Sequence, residues 1–346
     1  MGTYTVYTDS RIDRTIGNHL LHIVSNLKQL PLVRAIILGG GFGRGEGSVL
    51  LDSTGIHPVN DYDIYIIVSE GFREDVRSLS KDVAEQIGIR LIDIIPIKYS
   101  DLPNLPPNQY NYDLKYGGHH LWGEDVLGLI PLYKEGIVDK DAGKTLLLNR
   151  LICGVEAYSE KFERSGLTVE ENVFLVNQTG KIVSACVEAL LIRINKYHHS
   201  YSSRQHIFER EYPDKLKLRQ LNEIALEFKL RPTKTLQLNS IQYWKDAIED
   251  YLIVFADYLF DSGLSYAEDL WKNLKTNRSS KRITNNVIER LELLLLLYMF
   301  SSNTRKKQIL AKIQDGLKSL DKVSYRKASW DELRARAATL WHKAYH

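Results

Sequence analysis

The sequence predicts an α+β chain, a small N-terminal α/β domain with a mixed sheet followed by an all-helical domain. Three observations carry this expectation. Short apolar runs rich in β-branched residues recur up to about residue 135, separated by glycine-rich or helical stretches. From about Asp139 onward, long helical periods follow one another with no strand-like run between them. The length of 346 residues matches two domains at about 150 residues each. The expected division is 1–135 and 136–346.

Residues 12–28 read as an amphipathic helix, with Ile16, Leu20, Ile23 and Leu27 at helical spacing. Val33 to Leu38 is an apolar run that stops at a glycine cluster, as a buried strand would. Asp61 to Val68 and Ile89 to Ile97 are the second and third strands, and Pro96 puts the third at or near an edge. Residues 72–87 read as a helix between them, and Pro103 to Pro107 as a breaking loop. Helices are then expected over 139–164, 171–198, 214–229, 236–262, 283–300, 304–319 and 329–344. Thr168 with Glu171 has capping-box spacing, and Asp331 marks the start of the last helix.

Composition narrows the function classes. With 44% hydrophobic and 26% charged residues the chain is of ordinary globular type. Cys153 and Cys186 are too few for a disulfide framework or a cysteine zinc site, and both sit in apolar helical patterns. The first residues lack an apolar signal core, and Val6 breaks the myristoylation pattern begun by Gly2. The apolar stretch Leu293 to Phe300 is too short for a membrane span. A cytoplasmic location without a membrane partner is the expectation. The net charge of +3 is uneven: residues 271–346 hold 17 Lys/Arg against 6 Asp/Glu, a net of +11. Such a surplus is either a solvated face or a wall toward a polyanion.

The sharpest signal is Leu38 to Gly47, LGGGFGRGEG, followed by Asp61 and Asp63 and then by Asp93 in the third strand. Asp61 and Asp63 are two apart in a strand, so both side chains take one face. Carboxylates that close raise each other's pKa unless a cation lies between them. An oxygen-only ligand set selects Mg²⁺ or Mn²⁺, and Asp93 completes the set from the adjacent strand. Gly40, Gly41, Gly43 and Gly45 let backbone N–H groups approach phosphate oxygens, and Arg44 adds charge. Other phosphate motifs fail: Glu46-Gly47 stands where a Walker loop needs Lys-Ser/Thr.

At these residues the chain resembles the polymerase-beta-type nucleotidyltransferases. Gly40-Gly41 match that family's turn, Arg44-Gly45 the following helix start, Asp61 and Asp63 its acid pair, and Asp93 its third acid. The likeness covers about residues 33–130 and extends weakly to His120-Leu121-Trp122-Gly123-Glu124. Two departures stand out. The spacer before Asp61 is 19 residues, so Val49 to Pro58 reads as an inserted loop, and Gly41 replaces a common serine.

In the helical half, Gly180 to Tyr197 resembles the substrate-side helix of small-molecule members such as aminoglycoside-modifying enzymes. Lys181 and Arg204 are candidates to reach a triphosphate, and Glu188 is a candidate general base; for each the plainer reading is a solvated helix side chain. The adjacent pairs His119-His120 and His198-His199 point apart on a helix or strand, so no histidine metal site is expected. The resemblance implies transfer of a nucleoside monophosphate from a nucleoside triphosphate, ATP by default, to an acceptor hydroxyl with release of pyrophosphate. Asp61, Asp63 and Asp93 would hold the metal, and a small molecule would be the acceptor. An RNA or protein acceptor, or a silent nucleotide-binding regulator, stands as the alternative.

Overall fold

The computed structural model describes residues 2–59, 61–89, 91–260, 266–275 and 283–345. The chain is α+β, 61% helical, with a four-stranded mixed sheet in its N-terminal half and helices after it. It divides into two units. The first comprises 1–139, 195–207 and 226–233, and the second 140–194, 208–225 and 234–346. The first unit therefore includes two segments from the half expected to be wholly helical domain.

In the first unit, α1 (Ser10–Leu27) leads to β1 (Val33–Leu38), the single turn α2 (Gly40–Gly43) and the strands β2 (Val49–Asp52) and β3 (Gly55–Pro58). After these come β4 (Tyr62–Val68), α3 (Val76–Gln86), β5 (Ile92–Lys98), α4 (Gln109–Gly117) and β6 (His119–Gly123). The sheet order is β5-β4-β1-β6, with β4 and β5 parallel and β1 antiparallel to both its neighbours. β5 is an edge strand, which is where Pro96, lacking an N–H, can be accommodated.

Both faces of the central strands are covered. Tyr62, Ile64 and Ile66 join Ile36 and Leu38 under the apolar stripe of α1, Ile12, Ile16, Leu20, Ile23 and Leu27. On the other face, Ile37, Tyr65 and Ile67 pack with Leu102, Leu114, Val126 and Ile130. The stretch expected as an inserted loop is a hairpin: β2 and β3 pair from Val49↔Pro58 to Asp52↔Gly55. Gly55, at φ +142°, makes the tight reversal possible.

The second unit contains α5 (Lys140–Asn149), α6 (Leu151–Ala157), α7 (Phe162–Ser165) and α8 (Val169–Arg193). It continues through parts of α9 (Tyr201–Glu211) and α10 (Leu216–Leu230). Then come α11 (Ser240–Phe260), α12 (Tyr266–Leu274), α13 (Val287–Met299), α14 (Asn303–Asp321) and α15 (Trp330–Tyr345). The expected single helix over 139–164 is three. The second of the two breaks has a cause: Tyr158 leaves the helical region at φ −111°, ψ 148°, and its ring stacks on Trp244 at 4.2 Å. Thr168 and Glu171 form the expected capping box, and Asp331 lies in the first turn of α15. The end of the helix expected over 236–262, at 261–262, and the basic residues Arg278, Lys281 and Arg282 lie outside the described residues. By length and composition α8 is the one helix among the described residues able to cross a membrane, and 83% of its apolar window is buried in the fold.

The core of this unit is closed by indole and phenol donors. Trp244 Nε1 donates to Gly154 O at 3.2 Å, Trp330 Nε1 to Leu295 O at 3.2 Å and Tyr251 OH to Leu147 O at 2.6 Å. Among the described residues of this unit, Gln178 Oε1, Arg219 Nε and both carboxylate oxygens of Glu292 are buried without a hydrogen-bond partner. Glu292 on α13 is 0% exposed. Burial first, then the neighbouring Glu289 and Glu156, pushes its carboxyl well above the usual carboxylate range.

Candidate active site

β1 ends at Leu38 and turns directly into α2. Gly39 N–H donates to Asp63 O at 2.7 Å, which ties the turn to β4. Gly40 has φ +57°, and a Cβ there would lie 1.7 Å from Asp63 Oδ2. Only glycine combines that backbone with so close a carboxylate. Gly41 follows inside the turn, and Gly45, at φ +78°, closes its far side.

Asp63 and Asp93 are register partners on the parallel strands β4 and β5, so their side chains share a face of the sheet. Asp61 stands exposed just before β4. Asp63 is the inner member, and its carboxyl is pushed up to about 7. Burial is the main cause, the charges of Asp61 and Asp93 add to it, and Arg44 and Lys229 oppose it. Among the described residues no three His, Cys, Asp or Glu side chains are gathered into a formed metal-ligand set. Asp63 and Asp93 share a face and Asp61 stands just before the strand, an open arrangement and not a closed cage. Their donor chemistry fits a hard divalent cation: all the donors are carboxylate oxygens, and the inner one is already under repulsion that a cation would relieve.

Arg44 does not line this open face. Its side chain is 5% exposed, with Nε 3.3 Å from Glu46 Oε2, off the hydrogen-bond axis, and Nη1 3.2 Å from Asp113 Oδ2. Its guanidinium carbon lies 4.4 Å from the centre of the Tyr201 ring. Glu46 is 1% exposed and accepts from Ser200 Oγ at 2.9 Å, Tyr201 N at 2.8 Å and Ser202 N at 3.1 Å. It thus caps the N-terminus of α9 from 155 residues away. Burial raises its pKa, but the two backbone N–H groups, Arg44 and Ser200 outweigh burial, and the net shift is downward. Arg204 is also buried, at 3% exposed, and donates to His199 O at 3.0 Å, with its guanidinium 4.4 Å from the Tyr201 ring. The plainer reading of Arg204 as a solvated cation is therefore corrected.

Lys181 and Glu188 lie on α8 in the second unit, Lys181 half-buried and Glu188 buried. His198 and His199 do not point apart: their rings stack at 4.3 Å, because the chain there is neither helix nor strand. His199 also faces the Tyr116 ring at 6.2 Å. Burial, then the charges of His198, Arg44 and Arg204, lowers its pKa to about 4.

Sequence reasoning missed Lys229, Tyr201 and Asp113, and it read Glu46 only as an obstacle to a Walker loop. Lys229 Nζ lies 5.4 Å from the Tyr201 ring centre, and its charge reaches Asp63. Ser48 Oγ donates to the carbonyl of Lys229. Nothing in the amphipathic pattern of α10 singles this lysine out. Comparison with family models, with curated proteins and with solved structures finds no match to this chain.

Proposed function

We propose that the chain is a metal-dependent nucleotidyltransferase of the polymerase-beta type, moving a nucleoside monophosphate from a nucleoside triphosphate to an acceptor hydroxyl. The observation that carries this reading is the register of Asp63 with Asp93 beside the Gly40 turn, with Asp61 two residues before Asp63. In the reaction, the acceptor oxygen forms a bond to the α-phosphorus as the bond to the bridging oxygen breaks and pyrophosphate leaves. A bound Mg²⁺ or Mn²⁺ would supply charge neutralisation and orientation. Asp61, Asp63 and Asp93 are the residues that would hold it. In this reading Asp93, exposed on the edge strand, also draws the proton from the acceptor hydroxyl. Backbone N–H groups of the Gly40-Gly41 turn would take phosphate oxygens, and Lys229 adds a positive charge whose field reaches Asp63.

A small molecule is the proposed acceptor. RNA is the second reading, favoured by the net of +11 over residues 271–346. The test is incubation with each α-labelled triphosphate, Mg²⁺ or Mn²⁺, and cell extract split into metabolite, RNA and protein fractions. We expect label in the metabolite fraction, and a loss of at least about 100-fold in metal-dependent pyrophosphate release for Asp61→Asn and Asp63→Asn, equivalent to about 2.7 kcal/mol. Normal turnover by both variants would end the reading.

A further inference from the structure

The catalytic reading leaves the second half of the glycine segment, Arg44-Gly45-Glu46-Gly47-Ser48, without a role. Its polar side chains turn inward and engage two distant segments of the first unit. Glu46 takes the backbone N–H of Tyr201 at 2.8 Å and of Ser202 at 3.1 Å. Ser48, two residues on and 2% exposed, donates its hydroxyl to the main chain of Lys229. One five-residue stretch thus fixes both the tyrosine and the lysine.

The two meet. Three cations surround the ring of Tyr201: Arg44 at 4.4 Å, Arg204 at 4.4 Å and Lys229 at 5.4 Å. The arginines are committed elsewhere, Arg44 to Glu46 and Asp113 and Arg204 to the carbonyls of His199 and Ser200. Among the described residues the Lys229 ammonium has the ring as its contact, with no ion pair or hydrogen bond. A lysine stem is flexible, and ordering it costs up to about 2 kcal/mol of rotamer freedom. A ring of fixed position lowers that cost by limiting where the ammonium rests.

We propose that Glu46, Ser48 and Tyr201 are positioning residues which together hold the Lys229 ammonium over the carboxylate face, ready for the phosphate chain of a metal-bound triphosphate. This rests on the nucleotidyltransferase reading and adds to it a use for the part of the motif that touches no substrate. The arrangement explains why an acid follows Gly45. A carboxylate there serves as the cap of α9 and so sets the height of the ring under the lysine. Misplacement of a charged group by about 1 Å can cost about 100-fold in rate, so such a strut matters to turnover.

The experiment measures binding of inorganic tripolyphosphate and of each Mg²⁺–nucleoside triphosphate to the full chain by calorimetry. Wild type is compared with Lys229→Met, Glu46→Gln, Ser48→Ala, Tyr201→Leu and Tyr201→Phe, with thermal unfolding recorded for each. Lys229→Met and Tyr201→Leu are each expected to weaken binding about tenfold, while Tyr201→Phe, which keeps the ring, stays within about twofold. Tyr201→Leu combined with Lys229→Met is expected to bind no more weakly than Lys229→Met alone, the mark of residues acting through one another. Weaker unfolding temperatures with wild-type affinity in Glu46→Gln, Ser48→Ala and Tyr201→Leu would overturn the proposal and leave a purely structural cluster. Should Glu46→Gln fail to fold, the Ser48 and Tyr201 variants decide alone. Wild-type protein that binds no nucleotide would overturn the parent reading and this one together. Nucleotide binding unaffected by Lys229→Met would overturn this one only.

Discussion

Glu46 in the first unit and Glu292 in the second are both withdrawn from water, at 1% and 0% exposed, yet they are opposite cases. Glu46 has a hydroxyl, two backbone N–H groups and a guanidinium around it. Glu292 sits in the run Leu291 to Leu297 with no partner at either oxygen. The carboxyl of Glu46 is held below its usual range and that of Glu292 is driven well above it. Burial acts in the same direction on both, so the partners decide the sign. The partners of Glu46 favour its anion, and burial without partners favours the neutral acid at Glu292. The first organises its surroundings, and the second is tolerated by them.

The largest expected effect comes from breaking the partnered case. Glu46→Ala strands two N–H groups and takes one of the two carboxylates from Arg44, and should destabilise the protein by about 3–5 kcal/mol in denaturant titration. The lowered pKa of Glu46 means that its contribution is present above its unfolded value near 4.5 and is lost as pH falls through the folded value. Glu292→Leu should act the other way, stabilising the protein by about 1–3 kcal/mol at pH 7.5, because an apolar group replaces an unsatisfied acid. Its sign with pH is also reversed. A raised carboxyl binds its proton in the folded state, so wild type should lose stability relative to Glu292→Gln as pH rises above about 4.5. A constant difference between those two proteins from pH 5 to 8 would show that Glu292 is buried charged.

A smaller effect is expected from His199, which is half-buried near the charges of Arg44 and Arg204. With its folded pKa lowered to about 4, the unfolded chain takes up a proton that the folded one refuses. Stability should therefore fall as pH drops from about 6.5 toward 4, and His199→Gln should remove that part of the loss in thermal scans. The smallest effect belongs to the basic start of α14, where Lys307 is exposed and Arg305 and Lys306 are half-buried. Reversal of Arg305, Lys306 and Lys307 to glutamate should change stability by less than about 0.5 kcal/mol. RNA affinity measured on the same protein should be weak and should fall steeply between about 50 and 200 mM salt. Tight binding at the upper salt would favour RNA as acceptor.

Local pattern made much of this legible. The three strands, the stripe of α1 and the capping box at Thr168 are set by residues close in sequence, and each lies within a few residues of its expected place. The sequence puts Asp93 on a strand adjacent to the acid pair, and β5 brings it into register with Asp63, whereas Asp61, read as a strand residue sharing Asp63's face, stands just before β4. What stayed hidden depends on long-range partners. The helix Tyr201–Glu211 has little apolar periodicity and is capped by Glu46, so no local signal announces it. Arg44 and Arg204 looked like free cations because sequence does not display the rings and carbonyls that enclose them. Lys229 is one charge among several on α10 until Ser48 and Tyr201 select it.

The hairpin between the glycine turn and the acid pair changes how the long spacer before Asp61 should be measured. Val59 N–H donates to Ser48 O at 3.0 Å, and Val49 lies opposite Pro58, so the chain returns to the point from which it left. Contour length and displacement are thereby uncoupled. The excursion spends residues without moving the chain forward, and the acids stand as they would behind a much shorter link. Loop-closure entropy changes by only about 0.6 kcal/mol per doubling of length, so such a side branch can grow or shrink at little cost. Replacing residues 50–57 by a two-residue Asn-Gly turn should leave Asp61 and Asp63 in register with β5, making this stretch a site at which the chain can vary in length without disturbing its chemistry.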